Sequence, residues 1–372
     1  MNRIAFFMEQ HVGLKTYYKN LRKYVDQFDD VDPIWIEVTY NSLIPYWSSG
    51  PNILKRVTGL ANGLLEVQYG LMRHANYDLA FYFTQNTAVY AGRKLSRTPY
   101  VLCSDVSPKL MDDMALHYNH AQDENKMVND YKHNTNMKIY QGAECFITWS
   151  EWMAQSLYND YQLPEENVSV IPIGIDQTIW KAENRSIHLG PVKILFVGGE
   201  FYRKGGQSLL DAFHKLDSGS AELHIITRTK IDQQESIFVY NDLEPNSPEL
   251  ISKFQESDVF VFPTLADSFG IVALEAMSTG LPVIATNIGA LPEIVKNGEH
   301  GYIIEPDDTD QLHAALVKLI KNPEMRQQMG KNGVERVSKM FNAERNARRV
   351  IELCKEIIQG KKPAGTKQIE TA

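Results

Sequence analysis

The sequence has little of what usually marks a specialised chain. Its 372 residues include three cysteines, Cys103, Cys145 and Cys354, odd in number and far apart. That excludes a disulfide framework and fits buried thiols in a reducing compartment. No stretch approaches the ~18 uncharged apolar residues of a membrane span. The opening Met1-Asn2-Arg3-Ile4-Ala5-Phe6-Phe7-Met8 has too short an apolar run before Glu9 for a signal-peptide core. A cytosolic protein, at most peripheral at a membrane, is expected. Basic excess is missing too: the formal net charge is -8, which argues against a general nucleic-acid binder. Neither a G-x-G-x-x-G fingerprint nor a Walker A loop is present, and there is no short repeat or low-complexity segment. What is there is 43% hydrophobic and 23% charged, ordinary for a globular protein and comfortable for two domains at this length.

Short apolar runs recur with helical stretches between them. The first series is Ile4–Met8, Pro33–Val38, Leu79–Thr84, Tyr100–Ser104, Cys145–Ser150 and Val168–Ile173. The second is Val192–Val197, Ala221–Thr227, Ser236–Tyr240, Asp258–Phe262, Pro282–Thr286 and Gly301–Glu305. Without strict alternation they read as strands covered on both faces, linked by crossover helices. The expectation is two similar parallel α/β halves: 1–175, and 176–341 after Pro172-Ile173-Gly174-Ile175-Asp176 breaks the pattern. Their facing edges would form a cleft, with ligands beyond the carboxyl ends of the strands. Helices are expected over Asp310–Asn322, Pro323–Met340 and about 342–358. The tail 359–372 is expected to be disordered. Asn41–Tyr77 carries Pro45, Gly50, Pro51 and Gly59 before an amphipathic stretch.

The most informative stretch is Asp267-Ser268-Phe269-Gly270-Ile271-Val272-Ala273-Leu274-Glu275-Ala276-Met277-Ser278-Thr279-Gly280, a loop opening a short helix. Asp267 or Ser268 would be the N-cap and Gly280 the residue past its end. The helix is apolar on every side except at Glu275, so it should be buried all round. A buried carboxylate needs hydrogen bonds or a cation. Two vicinal hydroxyls of a ribose would suit it, and an internal Arg would serve equally. At the helix N-terminus the N–H groups of Phe269 to Ile271 would be free, and Gly270 would let a diphosphate approach.

Other candidates are weaker. The strand Val192–Val197 runs into Gly198-Gly199-Glu200-Phe201-Tyr202-Arg203-Lys204-Gly205-Gly206, where Arg203 and Lys204 would suit phosphates, or form a solvated basic turn. Gly13 after Ile4–Met8 allows backbone approach. The following lysines, Lys15, Lys19 and Lys23, would meet an acidic partner or membrane surface, or form a solvated face. Asp105, at the end of Tyr100–Ser104, would contact a sugar or an acceptor hydroxyl, or cap a turn. His117, His120 and His133 match no strong zinc spacing. Asp308-Thr309-Asp310 has the D-x-D form of metal-dependent sugar transferases but reads better as a helix cap with first-turn acids. The five tryptophans would stack on sugars or, by default, pack.

Asp267 and Glu275, eight apart around Phe269-Gly270, resemble the E-x7-E signature of family-4, group 1 retaining glycosyltransferases. The similarity continues through Leu274–Thr286, Gly289-Ala290-Leu291-Pro292-Glu293-Ile294-Val295, Asn297-Gly298, Gly301 and Asp307. In the first half it is weaker: Gly13, Ile147-Thr148-Trp149-Ser150 and Val170–Asp176. The resemblance implies the GT-B fold, two Rossmann-like domains with parallel sheets facing across a cleft, and a last helix that crosses back onto the first domain. It implies a nucleotide-sugar donor, UDP- or GDP-linked before ADP-linked, with no other cofactor and no metal. Glu275 would hold the ribose, and Phe269–Ile271 with Ser268 and Gly270 the phosphates. Arg203 and Lys204 would stabilise the leaving diphosphate, and Asp267 would bind donor-sugar hydroxyls. A glycan, lipid-linked or small-molecule acceptor would enter from the first domain. Three departures stand out: Asp267 replaces the usual Glu, Gly199 stands where many members have Arg, leaving Arg203 to supply the cation, and Asp105 ends a strand that often leads to His. The alternatives are a non-catalytic sugar-nucleotide binder or inactive partner subunit, and a related epimerase or phosphorylase. A phosphorylase would need a Schiff-base lysine, and only Lys204 stands out.

Overall fold

A computed structural model describes residues 1–10, 13–41, 52–118, 125–183 and 190–361. Side chains of 52–56 fall outside that set, as do His120, Trp47, Pro45, Gly50, Pro51 and most of the tail expected to be disordered. The chain divides into two units, Met1–Asp112 with Ala121–Gly174 and Ala343–Ala372, and Asp113–His120 with Ile175–Asn342.

The first unit contains β1 (Asn2–Glu9), α1 (Leu14–Val25), β2 (Val31–Val38), α2 (Asn52–Arg73), β3 (Leu79–Phe83), α3 (Gln85–Ala91) and, after a 3-10 turn, β4 (Tyr100–Ser104). Then come α4 (Pro108–Asp113), α5 (Ala115–Tyr118), which is counted with the second unit, α6 (Lys126–Gln141), β5 (Cys145–Thr148), α7 (Glu151–Tyr161) and β6 (Val168–Val170). All strands are parallel, in the order β2-β1-β3-β4-β5-β6. Residues 4–8 of β1 are wholly buried, as a strand covered on both faces must be. Pro33 sits in β2, an edge strand, where its missing N–H costs least. The run expected to reach Ile173 stops at Val170, short of Pro172 and Gly174. All three cysteines are buried and free.

The second unit contains β7 (Val192–Val197), α8 (Gly206–Phe213), β8 (Ala221–Ile226), β9 (Ile237–Tyr240), α9 (Pro248–Glu256), β10 (Val259–Phe262) and α10 (Ile271–Ser278). It continues with β11 (Val283–Thr286), α11 (Leu291–Ile294), β12 (Gly301–Ile304), α12 (Thr309–Lys321) and α13 (Pro323–Met340); the last helix, α14 (Ala343–Ile358), belongs to the first unit. The sheet is again parallel, ordered β12-β11-β10-β7-β8-β9. Strand order reverses between β7 and β10, and the loops leaving those two strands lie over the carboxyl end of the sheet. That is where an open α/β sheet leaves a crevice.

Candidate functional site

Those two loops are pressed together by a glycine. Gly205 has φ +76°, and a Cβ there would collide with the carbonyl oxygen of Pro263, so only glycine lets the turn after β7 lie against the loop after β10. Leu265 N donates to Arg203 O at 2.9 Å, and Arg203 Nη1 donates to Ala266 O at 2.8 Å. Arg203 Nε and Nη2 donate to the Glu200 carboxylate. Beside them the Lys204 ammonium pairs with Asp267 Oδ2, both side chains largely buried. Two cations expected to await phosphate are thus already held by protein groups, each in a fixed position.

Asp267 Oδ1 accepts from Phe269 N at 3.1 Å and Gly270 N at 2.9 Å. This corrects two expectations. The Phe269 and Gly270 amides are not free for a diphosphate, because the shorter Asp side chain folds back onto its own loop. The helix cap is also neither Asp267 nor Ser268: α10 begins at Ile271 with Gly270 as N-cap in the left-handed region, φ +85° and ψ 50°. Burial works to raise the Asp267 carboxyl, but Lys204, the Phe269 amide and Arg203 outweigh it and hold it below the ordinary range. Ser268 lies in the same loop and its carbonyl accepts from Ala290 N at 3.1 Å.

Glu275 is different. Around it Ala273, Leu274, Ala276 and Met277 are buried, and Ser278 Oγ donates to Trp180 O at 2.6 Å, tying the helix end down. The half-buried Glu275 carboxylate has no hydrogen-bond or ion partner among the described residues. The internal-Arg alternative is not what the structure holds. Burial alone pushes the carboxyl up to about 8. It stands one helical turn inside α10, about 6 Å along the axis from Ile271.

One contributor was missed in the sequence. Gly199 O accepts from Arg228 N at 3.3 Å, and a Cβ on Gly199 would lie 3.9 Å from Arg228 Cδ. Arg228 follows β8, the neighbour of β7, and is exposed with no ion pair among the described residues. A cation two residues past a strand end was the available signal. It carried no meaning until the sheet order put β8 beside β7.

Gly13 and Asp105 belong to the first unit, at the carboxyl ends of β1 and β4. Gly13 is the N-cap of α1, with nothing within 4 Å of a Cβ built on it. The first sheet reverses order between β1 and β3, and there Glu9 is buried. Its carboxylate accepts from Tyr40 Oη at 2.7 Å and from the Thr84 hydroxyl. Asp308 caps α12 through Gln311 N at 2.8 Å, while Asp310 pairs with Lys215, so the D-x-D triplet is a helix start. No group of three or more His, Cys, Asp or Glu residues placed to hold a metal occurs among the described residues. Trp149 and Trp180 are buried in aromatic clusters and Trp35 stacks on Phe6 at 4.4 Å, which is packing.

Comparison with known proteins follows the same division. Residues 179–336 match the family model described as Glycosyl transferases group 1. The chain is 26% identical over 220 residues to an MMP alpha-(1->4)-mannosyltransferase of Mycolicibacterium hassiacum, covering 53% of this chain and 50% of that protein. It spans about half the length of the curated relatives it matches. Among solved structures it is similar to sucrose-phosphate synthase from Thermosynechococcus elongatus, with TM-score 0.76 and 17% identity over 97% of this chain and 100% of the other. It is also similar to Anabaena HepE in complex with UDP-glucose, with TM-score 0.70 and 15% identity over 96% of this chain and 100% of the other. The two parallel six-stranded sheets with their flanking helices are the GT-B fold.

Proposed function

We propose, from the match of residues 179–336 to the group 1 glycosyl transferase model and from the GT-B fold, that the protein moves a sugar from a nucleotide-sugar donor to an acceptor hydroxyl. The reading includes retention of anomeric configuration, no metal, and a UDP- or GDP-linked donor bound by the second unit. The observation that carries it is the unpartnered Glu275 carboxylate. A ribose presents two adjacent hydroxyl donors, which match a carboxylate's two oxygens and remove the desolvation penalty the chain itself leaves uncorrected. The UDP-glucose bound to the structurally similar HepE supports a sugar nucleotide of this kind.

Chemistry at such a site is departure of a diphosphate from the anomeric carbon. Charge grows on the diphosphate oxygens, so fixed cations favour the transition state over the ground state. Lys204 has donors left after pairing with Asp267 and, with Arg203 and Arg228, would receive that charge in place of a metal ion. Asp267 keeps Lys204 aimed and has a remaining lone pair on Oδ2 for a sugar hydroxyl. Asp105 is proposed as a sugar or acceptor contact, and the backbone at Gly13 as a donor contact.

Calorimetric titration of UDP, GDP and ADP into the wild type and Glu275→Ala, without metal and then with magnesium, tests the reading. Metal-independent binding of one nucleotide, lost in the variant, is expected. No binding of any nucleotide would overturn it in favour of an inactive partner subunit, and donor hydrolysis or transfer separates an enzyme from a sensor.

A further inference from the structure

The helix α2 is built inside out. Its buried face carries Asn62, Gly63, Glu66 and Gly70 with Val67 and Leu71. Glu66 accepts from Thr39 N at 2.6 Å and Tyr40 N at 3.0 Å, and Asn62 donates to Tyr40 O at 3.1 Å. The outward face carries Val57, Leu60, Leu64, Leu65, Tyr69 and Met72, each between 43% and 64% exposed. From Val57 onward, every exposed position of α2 is one of these six except Arg73. Solvent does not select such a face, and a contiguous apolar stripe of this length marks a contact surface.

Charge around the stripe says what the contact is. From Asn52 to Arg97 the chain has six Lys or Arg and two acids, Glu66 and Asp78, within a protein of net charge -8. Glu66 is buried and used internally, and Asp78 sits before β3, where it accepts from Arg3 N. Gln68 Nε2 donates to Tyr90 O at 2.6 Å and to Ala91 O at 3.2 Å, so the basic turn Gly92–Arg97 starts beside the middle of α2. Its Arg93 and Arg97 are exposed and without an ion pair among the described residues.

We propose that α2, flanked by Arg73, Arg93 and Arg97, seats the protein on an anionic lipid surface, the helix lying in the interface with its apolar stripe inserted among the acyl chains. The stripe from Val57 to Met72 runs about 22 Å, enough for a helix lying flat. Spanning is ruled out for this helix, since none among the described residues is long and apolar enough to cross a membrane. A second copy of the chain fits less well, because an isologous contact through α2 would set cations against cations with no exposed acid on the helix to pair them. Arg73 Nη1 donates to Tyr69 Oη at 3.2 Å, an aromatic and cation pair at the stripe's end of the kind that suits a headgroup layer. The inference is independent of the donor site.

Co-sedimentation of the full chain with vesicles tests it, comparing phosphatidylcholine alone with phosphatidylcholine carrying about a third phosphatidylglycerol. Wild type should pellet with the anionic vesicles only. Leu60→Ser/Leu64→Ser/Met72→Ser, exposed changes whose fold is checked by circular dichroism, should lower the bound fraction at least about tenfold. Arg93→Glu/Arg97→Glu should weaken binding and flatten its salt dependence. Wild type left in the supernatant, equal binding to neutral vesicles, or no effect of the triple variant would overturn the proposal. So would a dimer in sedimentation velocity that the triple variant dissolves, which would assign the stripe to a second copy.

Discussion

Both sheets reverse strand order beside their first strand, and both place a glutamate near the reversal: Glu9 at the end of β1, and Glu275 on the helix after β10. The first is served by the chain. Tyr40 and Thr84 bring hydroxyls to Glu9 although both hold left-handed φ angles, +66° and +71°. For a β-branched residue such as Thr84, at ψ 152°, that conformation costs on the order of 1–3 kcal/mol. The second receives nothing from the described residues. A buried carboxylate is therefore not in itself a mark of a ligand site. What separates the two is that one unit accepts backbone strain to satisfy its carboxylate, while the other leaves its carboxylate wanting two donors.

The sharpest way to break this comparison is to remove each carboxylate. Glu275→Ala should weaken nucleotide binding by roughly 100-fold, about 3 kcal/mol for two charge-assisted hydrogen bonds, without loss of stability. Glu9→Ala should do the reverse: affinity within about twofold, and stability lower by about 2–4 kcal/mol as the Tyr40 and Thr84 hydroxyls lose their acceptor. Calorimetry and urea unfolding on the two variants decide it. Equal losses in both columns would mean that burial, not the missing partner, sets the behaviour.

Lys204→Ala is the next largest effect, provided the protein turns over its donor. Lys204 meets charge that develops as the diphosphate leaves, so kcat should fall by about 10–100-fold with KM little changed. The variant should also unfold more readily, because the largely buried Asp267 keeps only its amide bonds and Arg203. A fall confined to KM would reduce Lys204 to a ground-state contact.

Much of this was legible in the sequence, and the boundary of legibility is physical. Short, largely apolar runs between turn residues located the twelve strands found among the described residues, since a strand covered on both faces has little other pattern to show. Glu275 was legible as an anomaly, one carboxylate in an apolar helix, but its lack of a partner was not, because an Arg anywhere in the chain would have served. The Lys204–Asp267 pair joins residues 63 apart and depends on Gly205 touching Pro263, a contact that no local spacing encodes. The amphipathic stretch of α2 was visible as periodicity. Periodicity carries no direction, and only the contacts of Glu66 and Asn62 reveal that the apolar face points outward.

A pH titration sharpens the comparison at Glu275 alone. Its carboxyl is at about 8 in the free protein, and hydroxyl donors require the ionised form. Affinity should rise about tenfold per pH unit up to about 8 and then level off. Glu275→Gln should abolish the slope. Because the folded pKa lies above the ordinary 4.5, the native state holds a proton that the unfolded chain has released between those two values. Native stability from this group is thus complete at low pH and lost as pH rises through about 8. Glu275→Gln should therefore be more stable than wild type at pH 8.5, and not at pH 4.5, in urea titrations.

The smallest effect belongs to the site's other unpartnered group. The Arg228 side chain, like that of Glu275, has no partner among the described residues, but it is exposed, and exposure changes what a missing partner is worth. Water already solvates the guanidinium, so a phosphate offers it only a screened attraction of about 0.5–1 kcal/mol. Arg228→Ala should weaken nucleotide binding by about two- to fivefold at low salt, and the difference should vanish near 0.5 M salt as the Debye length contracts to about 4 Å. Over the same salt range the Glu275→Ala deficit should persist, because its hydrogen bonds form where ions do not reach. Calorimetry of both variants at two salt concentrations reads this directly. An Arg228 deficit that survives high salt would mean that the guanidinium is desolvated when the nucleotide binds, and would move it from the rim of the site to its interior.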